Sequence, residues 1–268
     1  MKKHSLALTI LLTIFVASSL TCTFSEEALP KNYAVIQFGT YEQDGNLING
    51  TEPIEWYVLD IRDGRALLIS KYVLDWQYYD KNSIETLWSQ SFLKKWLFDE
   101  FYMNAFSDAE RVIIKEDYDR NYYRKFNDDF YKQGNRMEVD ADYNVGEPVF
   151  LMDTDTILRA YSKILNAHQP EAKSVNEAEK NEGIKPFILG FPTQYCLEQG
   201  ARPWDTGACN WWTRNGAFFV GNGFWGPTNE IPASVTRRGV RPSIWIDING
   251  YEDALIDEPE STLILSAK

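Results

Sequence analysis

The residues best suited to catalysis are scarce in this chain. It holds 2 histidines in 268 residues, and apart from His4 in the N-terminal segment there is His168. A Ser-His-Asp triad, a Cys-His pair or a multi-histidine metal site each needs a histidine held in place by an ordered element. His168 lies in a polar stretch, where a solvated side chain is expected. Since no phosphate-binding glycine loop or dinucleotide fingerprint occurs either, the sequence predicts no catalytic residue and no histidine-bound metal.

Carboxylates, in contrast, are abundant, with 39 acidic residues in the chain. A pair of carboxylates can hydrolyse a glycosidic bond, but among so many acids neighbouring pairs arise by chance, and none can be singled out. One polar run could bind calcium, although it lacks the ligand spacing of an EF-hand loop. Calcium is therefore a candidate cofactor, and a solvated loop is the alternative. The aspartates of this run are Asp117, Asp119, Asp128, Asp129, Asp140 and Asp142.

Two cysteines, Cys196 and Cys209, lie outside the N-terminal segment. An even number of cysteines in an exported chain favours a disulfide, so we expect these two to be joined. The alternative is a redox or metal-binding pair, but the two residues are farther apart than in a Cys-x-x-Cys motif. The sequence therefore predicts a structural Cys196–Cys209 bond.

A segment rich in Gly and Asn concentrates the residues best suited to ligand contact: Trp211, Trp212, Arg214 and Trp225. Flat indoles stack on sugar rings or peptide side chains, and the Arg guanidinium can form bidentate hydrogen bonds with carboxylates. The alternative is that Trp211 and Trp212 alternate into the core and Arg214 makes an internal ion pair. Trp225 stands between two glycines on a predicted loop, so we expect it to be the exposed aromatic of the set.

The N-terminus has the layout of a secretory signal. A basic start precedes an uncharged run whose apolar centre, 6–16, is too short for a comfortable membrane span. We predict a signal peptide over residues 1–25, cleaved after Ser25. Cleavage after Ser19, a retained anchor and a lipid-modified Cys22 are the alternatives. The protein is therefore expected to be periplasmic, on the cell surface or secreted.

Composition restricts the partners of the mature chain. The formal net charge of the full chain is −12, and removal of the basic signal peptide makes it more negative, so binding to nucleic acid or to anionic lipid is disfavoured. Hydrophobic residues make up 44% of the chain and aromatic residues 15%, which is enough to build a core. We expect an ordered protein over most of the chain, without a stable membrane span after signal cleavage.

The elements that would position these residues follow in the order strands, helices, strands. Asp63-Gly64 between two apolar runs predicts a β-hairpin. Apolar spacing over 92–101 and a capping box at Ser107–Glu110 predict two helices. Strands are predicted at 149–152 and, in the C-terminal part, at 210–214, 217–220 and 241–248, with a short helix over 193–199. This order indicates an α+β fold, one domain over 26–250, and an acidic tail or edge segment over 251–268.

Several segments together resemble one bacterial family, the domain of unknown function family 6273. Most distinctive are Trp-Trp-Thr-Arg at 211–214 and Gly-Val-Arg-Pro at 239–242. The other matching segments are 38–44, 54–59, 66–71, 93–97, 105–110, 149–152 and 192–195. No activity comes with the family. Thr213, and Asn-Gly at 215–216, depart from the Trp-Trp-Leu-Arg-Ser-Pro typical of it.

The same C-terminal segments are similar to C-type-lectin-like domains of the formylglycine-generating-enzyme kind. This resemblance implies small antiparallel sheets, two or three helices and long loops. The calcium-dependent sugar motifs of true C-type lectins are missing, because Glu147-Pro148 is followed by Val149. The spacing of Cys196 and Cys209 also differs from the copper-binding cysteine pair that the enzyme resemblance suggests.

These observations favour an exported, non-catalytic module that binds a glycan, a peptide or a partner protein through its C-terminal loops. Trp225 and Arg214 are the expected ligand contacts, with Trp211 and Trp212 beside them. Two alternatives come from other classes of protein. One is an enzyme that acts on extracellular glycans with a carboxylate pair, and the other is a structural or assembly protein of the cell envelope.

Overall fold

The computed structural model describes residues 35–81, 88–116, 146–153, 157, 189–214, 216–221, 224–228, 236–249 and 262–264, with the backbone alone for 62, 217–221, 224–228 and 262–264. The predicted signal peptide lies outside these residues. The strands are β1 Val35–Tyr41, β2 Glu52–Arg62, β3 Arg65–Ser70, β4 Asp75–Tyr78, β5 Ile114–Lys115, β6 Trp211–Thr213, β7 Gly216–Gly221, β8 Phe224–Thr228, β9 Arg237–Val240, β10 Ser243–Asp247 and β11 Thr262–Ile264.

The first sheet has six strands in the order β11-β1-β2-β3-β10-β5, and β11 alone pairs in parallel with its neighbour. Its centre is the predicted hairpin. Asp63 (φ 50°) and Gly64 (φ 70°) connect β2 to β3, and positive φ at both central residues is what a tight two-residue turn requires. The hairpin prediction is confirmed.

The second sheet has five strands in the order β4-β9-β6-β7-β8. β6 and β9 pair in parallel through Trp211 and Gly239, and the other neighbours are antiparallel. A Cβ on Gly239 would meet the Val73 Cγ1 atom at 2.5 Å. The glycine therefore allows β9 to lie close to the chain that enters β4.

A helical stretch covers one face of the first sheet. It begins with a 3₁₀ turn at Trp88–Gln90 and continues through α1 Phe92–Trp96, a π-helical turn Leu97–Tyr102 and α2 Met103–Ala105. Ser91 caps α1 by accepting a hydrogen bond from the Lys94 N–H group. The helix α3, Asp108–Ile113, begins at the predicted capping box of Ser107 and Glu110. The helix α4, Gln194–Glu198, is capped by Thr193.

The first sheet is buried on both faces, and two hydrophobic clusters result. Trp56 and Val58 of β2 pack with the helical residues in one cluster, whereas Tyr57 and Leu59 pack into the other. Because successive side chains of a strand point to opposite faces, these adjacent residues enter different clusters. The Nε1–H group of Trp56 donates a hydrogen bond of 2.7 Å to the Phe38 carbonyl, beside the irregular register between Gln37 and Thr40. This hydrogen bond satisfies the buried indole.

The α+β class predicted from the sequence is confirmed by these sheets and helices. The strand predicted over 149–152 is wrong, because within this segment Phe150 makes an isolated bridge to Ser243. In the C-terminal segment, β11 lies at the edge of the first sheet beside β1. No helix among the described residues is long and apolar enough to cross a bilayer.

Candidate functional site

Three of the four predicted ligand contacts are core residues. Trp211 and Trp212 are each 1% exposed, and Arg214 is 5% exposed. As neighbours on β6, the two tryptophans enter opposite clusters. The Trp212 Nε1–H group donates to the Gln77 carbonyl at 2.8 Å, and the Arg241 guanidinium lies 5.0 Å from the Trp211 ring. The structure therefore does not bring these side chains to a ligand-accessible surface.

Arg214 belongs to a buried ion network around Glu147. The Glu147 carboxylate accepts from Lys94 Nζ at 2.8 Å and lies 3.4 Å from an Arg214 guanidinium nitrogen. The Trp88 Nε1–H group lies 3.1 Å from both Glu147 oxygens, and the Arg214 guanidinium lies over the Trp88 ring at 5.9 Å. This network connects β6 to the start of the helical stretch. It supports the alternative that Arg214 makes an internal ion pair.

A cavity of about 520 Å³ opens beside this network, on the outer side of the helical stretch. Its polar lining comes from the 3₁₀ turn and α1 together with Asp80 and Asp99, and Phe98 of the π-helical turn contributes an aromatic ring that is 48% exposed. Tyr102 stacks on this ring with centroids 5.8 Å apart and planes 16° apart. The lining residues are Asp80, Ser89, Gln90, Ser91, Phe92, Lys94, Lys95, Phe98 and Asp99.

The charges that line this cavity are balanced. Two lysines and two aspartates contribute to it. Lys94 pairs with Glu147, and Lys95 forms an ion pair with Asp99 one helical turn away. Since each lysine faces a carboxylate, the cavity offers hydrogen-bonding groups without a strong field of one sign. Such a surface suits a neutral polar ligand better than an ion.

Cys196 and Cys209 are free thiols, and both are buried. The predicted disulfide is therefore corrected: the structure holds both sulfur atoms in the second hydrophobic cluster without a bond between them. Burial raises the pKa of Cys209 to about 12, and burial followed by the charge of Cys209 raises the pKa of Cys196. Thiols with such raised pKa values behave as small apolar core residues.

A loop between β1 and β2 gathers carboxylates. Oxygen atoms of Glu42, Asp44 and Glu52 lie within 4.8 Å of one another, and these three residues could hold a cation. Burial raises the pKa of Glu42, the Gly45 N–H group opposes this effect, and Glu52 and Asp44 add to the rise. The pKa of Asp44 is lowered by hydrogen bonds, first from Asn49. The sequence prediction of calcium binding concerned a different run, 117–142, which lies outside the described residues.

Trp225 lies in β8 rather than in a loop, opposite Val220 of β7. Since β8 is the last strand of the second sheet, Trp225 occupies an edge position. Its ligand-binding role stays a prediction.

The cavity beside the helical stretch has no counterpart among the patterns of the sequence. The apolar spacing over 92–101 predicts a helix here, and nothing in it shows that Ser91, Phe92 and Lys94 would line a cavity. For Phe98, the sequence gives a weak indication of its outward position. Phe98 falls off the apolar face defined by Leu93, Leu97 and Phe101, so helical periodicity already places it on the outer side.

Comparison with known proteins gives one match. The family model described as domain of unknown function (DUF6273) matches residues 63–248, which is well over half of the chain. No curated protein and no solved structure shows a significant match. The resemblance to C-type-lectin-like domains therefore remains a hypothesis.

Proposed function

We propose a ligand-binding role for this chain, which belongs to the DUF6273 family of domains of unknown function. The protein is an exported, non-catalytic module of the cell envelope, and its ligand is a glycan. The cavity of about 520 Å³ beside α1 carries the proposal, because it combines an exposed aromatic ring, stacked on Tyr102, with hydroxyl, amide and paired charged groups. The C-type-lectin-like fold suggested by the sequence is part of the same hypothesis.

A neutral sugar fits this lining better than a charged peptide. The cavity walls carry as many lysines as aspartates, whereas the whole chain has a net charge of −12 and repels anions. Ser89, Gln90 and Ser91 offer donors and acceptors of the kind that fix hydroxyl groups. The exposed part of the Phe98 ring can lie against the apolar face of a sugar.

The test is binding of the purified protein to an array of neutral glycans and peptidoglycan fragments, with calcium and with a chelator. Phe98→Ala should weaken binding by about fivefold, because stacking on one ring is worth about 1 kcal/mol. Met103→Ala is the matched control, since Met103 is also 48% exposed and follows on the same helical stretch, yet it does not line the cavity.

A Trp225→Ala variant is tested on the same glycan array. Loss of binding in this variant but not in Phe98→Ala would move the site to the C-terminal strands, as the sequence hypothesis has it. An array on which the folded wild-type protein binds nothing would contradict the glycan proposal. It would favour the envelope-assembly alternative.

A further inference from the structure

We propose that the loop between β1 and β2 is a second interaction surface, which packs Leu47 and Ile48 against apolar side chains bordered by Lys or Arg on a partner protein. Ile48 is 96% exposed and Leu47 is 76% exposed. Single exposed aliphatic residues, such as Val112 on α3, are common on protein surfaces. Two consecutive exposed aliphatic residues at the tip of an ordered loop form a small apolar patch, so they indicate a contact site.

The loop holds the two side chains away from the core by its own hydrogen bonds. The Asp44 carboxylate accepts from the Asn46 N–H group at 2.7 Å and from the Asn49 side-chain amide at 2.8 Å. At the base of the loop, Glu52 accepts from the Gln43 N–H group at 2.7 Å. Because the loop is already ordered, a partner would not have to restrict its backbone on binding. The apolar tip is therefore presented in a fixed geometry.

The charge at the base of the loop indicates the chemistry of the partner. Glu42, Asp44 and Glu52 cluster there, and the Glu198 carboxylate lies against Gly45, where a Cβ would meet its oxygen at 2.6 Å. An apolar tip above four carboxylates is complementary to apolar side chains bordered by Lys or Arg. An anionic lipid surface would be repelled by the same carboxylates and by the net charge of −12. This charge pattern favours a protein over a membrane.

A random-peptide phage library, panned on the purified protein, tests this inference. Enriched peptides are expected to combine large apolar residues with Lys or Arg, and their binding should weaken with rising salt. In fluorescence anisotropy, the double substitution Leu47→Ser and Ile48→Ser should weaken binding of a synthesised peptide by about a hundredfold. Val112→Ser is the matched control because it removes an aliphatic side chain that is 73% exposed elsewhere.

Three outcomes would overturn the inference: no enrichment, peptides that bind the double variant as tightly as the wild type, or enriched peptides that are acidic. Phosphatidylcholine vesicles form a separate arm, and vesicle binding that requires Leu47 and Ile48 would replace the protein partner with a lipid surface. Since both side chains are exposed, the variant should keep the wild-type circular dichroism spectrum. Glycan binding is expected to be unchanged in the double variant, so this test and that of the proposed function fail independently.

Discussion

Glu147 is the residue whose removal should most clearly test the buried ion network. Its side chain is 9% exposed and faces Lys94, Arg214 and Trp88. Glu147→Gln keeps the shape of the side chain and one acceptor oxygen, but it removes the negative charge. Arg214, with a side chain that is 5% exposed, then loses this counter-charge inside the protein. Lys94 is 22% exposed, so its ammonium group can turn toward water at little cost.

The magnitude follows from this difference in burial. Removing one partner of a buried ion pair costs about 3–5 kcal/mol. We expect a value near the lower end, about 3 kcal/mol, because Lys94 can be hydrated and the Gln oxygen can still accept from Trp88. For a protein of this size the melting temperature should fall by about 10 °C.

Urea denaturation at neutral pH, followed by tryptophan fluorescence, measures the change in the free energy of unfolding. Asp99→Asn is the control. It removes a carboxylate that pairs with a lysine of the same helix, but both members of that pair are exposed, so a loss below about 1 kcal/mol is expected. The reasoning is refuted if Glu147→Gln costs no more than Asp99→Asn, since burial would then have no effect on the strength of the pair.

Three further predictions concern other parts of the core. In the folded protein, Cys196 and Cys209 should resist a thiol reagent at mildly alkaline pH, since burial raises the pKa of both thiols. After denaturation without a reductant, both cysteines should be labelled. Mass mapping of the labelled peptides checks this, and a disulfide-linked peptide would contradict it. Burial raises the pKa of Asp75, although hydrogen bonds from Tyr41 and from the Trp76 N–H group oppose the rise. The folded state therefore binds the proton more tightly than the unfolded state, so the stability due to Asp75 is greatest at acid pH and is lost as the pH rises through the raised pKa. A urea series across this acid range should show this loss in the wild type and not in Asp75→Asn. Gly239→Ala should destabilise the protein by about 1–3 kcal/mol, because the added methyl group would meet Val73 Cγ1 at 2.5 Å. A thermal melt unchanged from the wild type would contradict this last expectation.

Local sequence patterns predicted the elements that depend on neighbouring residues. The Asp63-Gly64 turn, the Ser107–Glu110 capping box and the short helix after Thr193 all occur as expected. Each of these signals involves residues a few positions apart, so the physical cause is contained within the segment. The strand predicted over 149–152 failed because a strand requires a continuous partner. Phe150 pairs with β10 at one position, Ser243, and this single bridge does not make a strand.

The candidate site depended on contacts between distant segments. Lys94 and Phe98 read in the sequence as parts of one amphipathic helix, and only the fold places them around a cavity beside the buried Glu147. The exposure of Leu47 and Ile48 is likewise a tertiary property. An apolar pair in a polar loop can fold inward or remain outside, and the hydrogen bonds of Asp44 keep it outside.

The sequence by itself determined the α+β class, the hairpin, the helix caps and the family, because these follow from composition and short-range patterns. Only the tertiary structure decided which aromatic side chains are buried and whether the two cysteines are bonded to each other. Trp211 and Trp212 could have faced a ligand or the core, and the second sheet packs them into opposite clusters. Cys196 and Cys209 could have formed a bond, and the structure keeps both as buried thiols. Burial depends on what packs against a residue, and those neighbours come from parts of the chain that no local pattern connects.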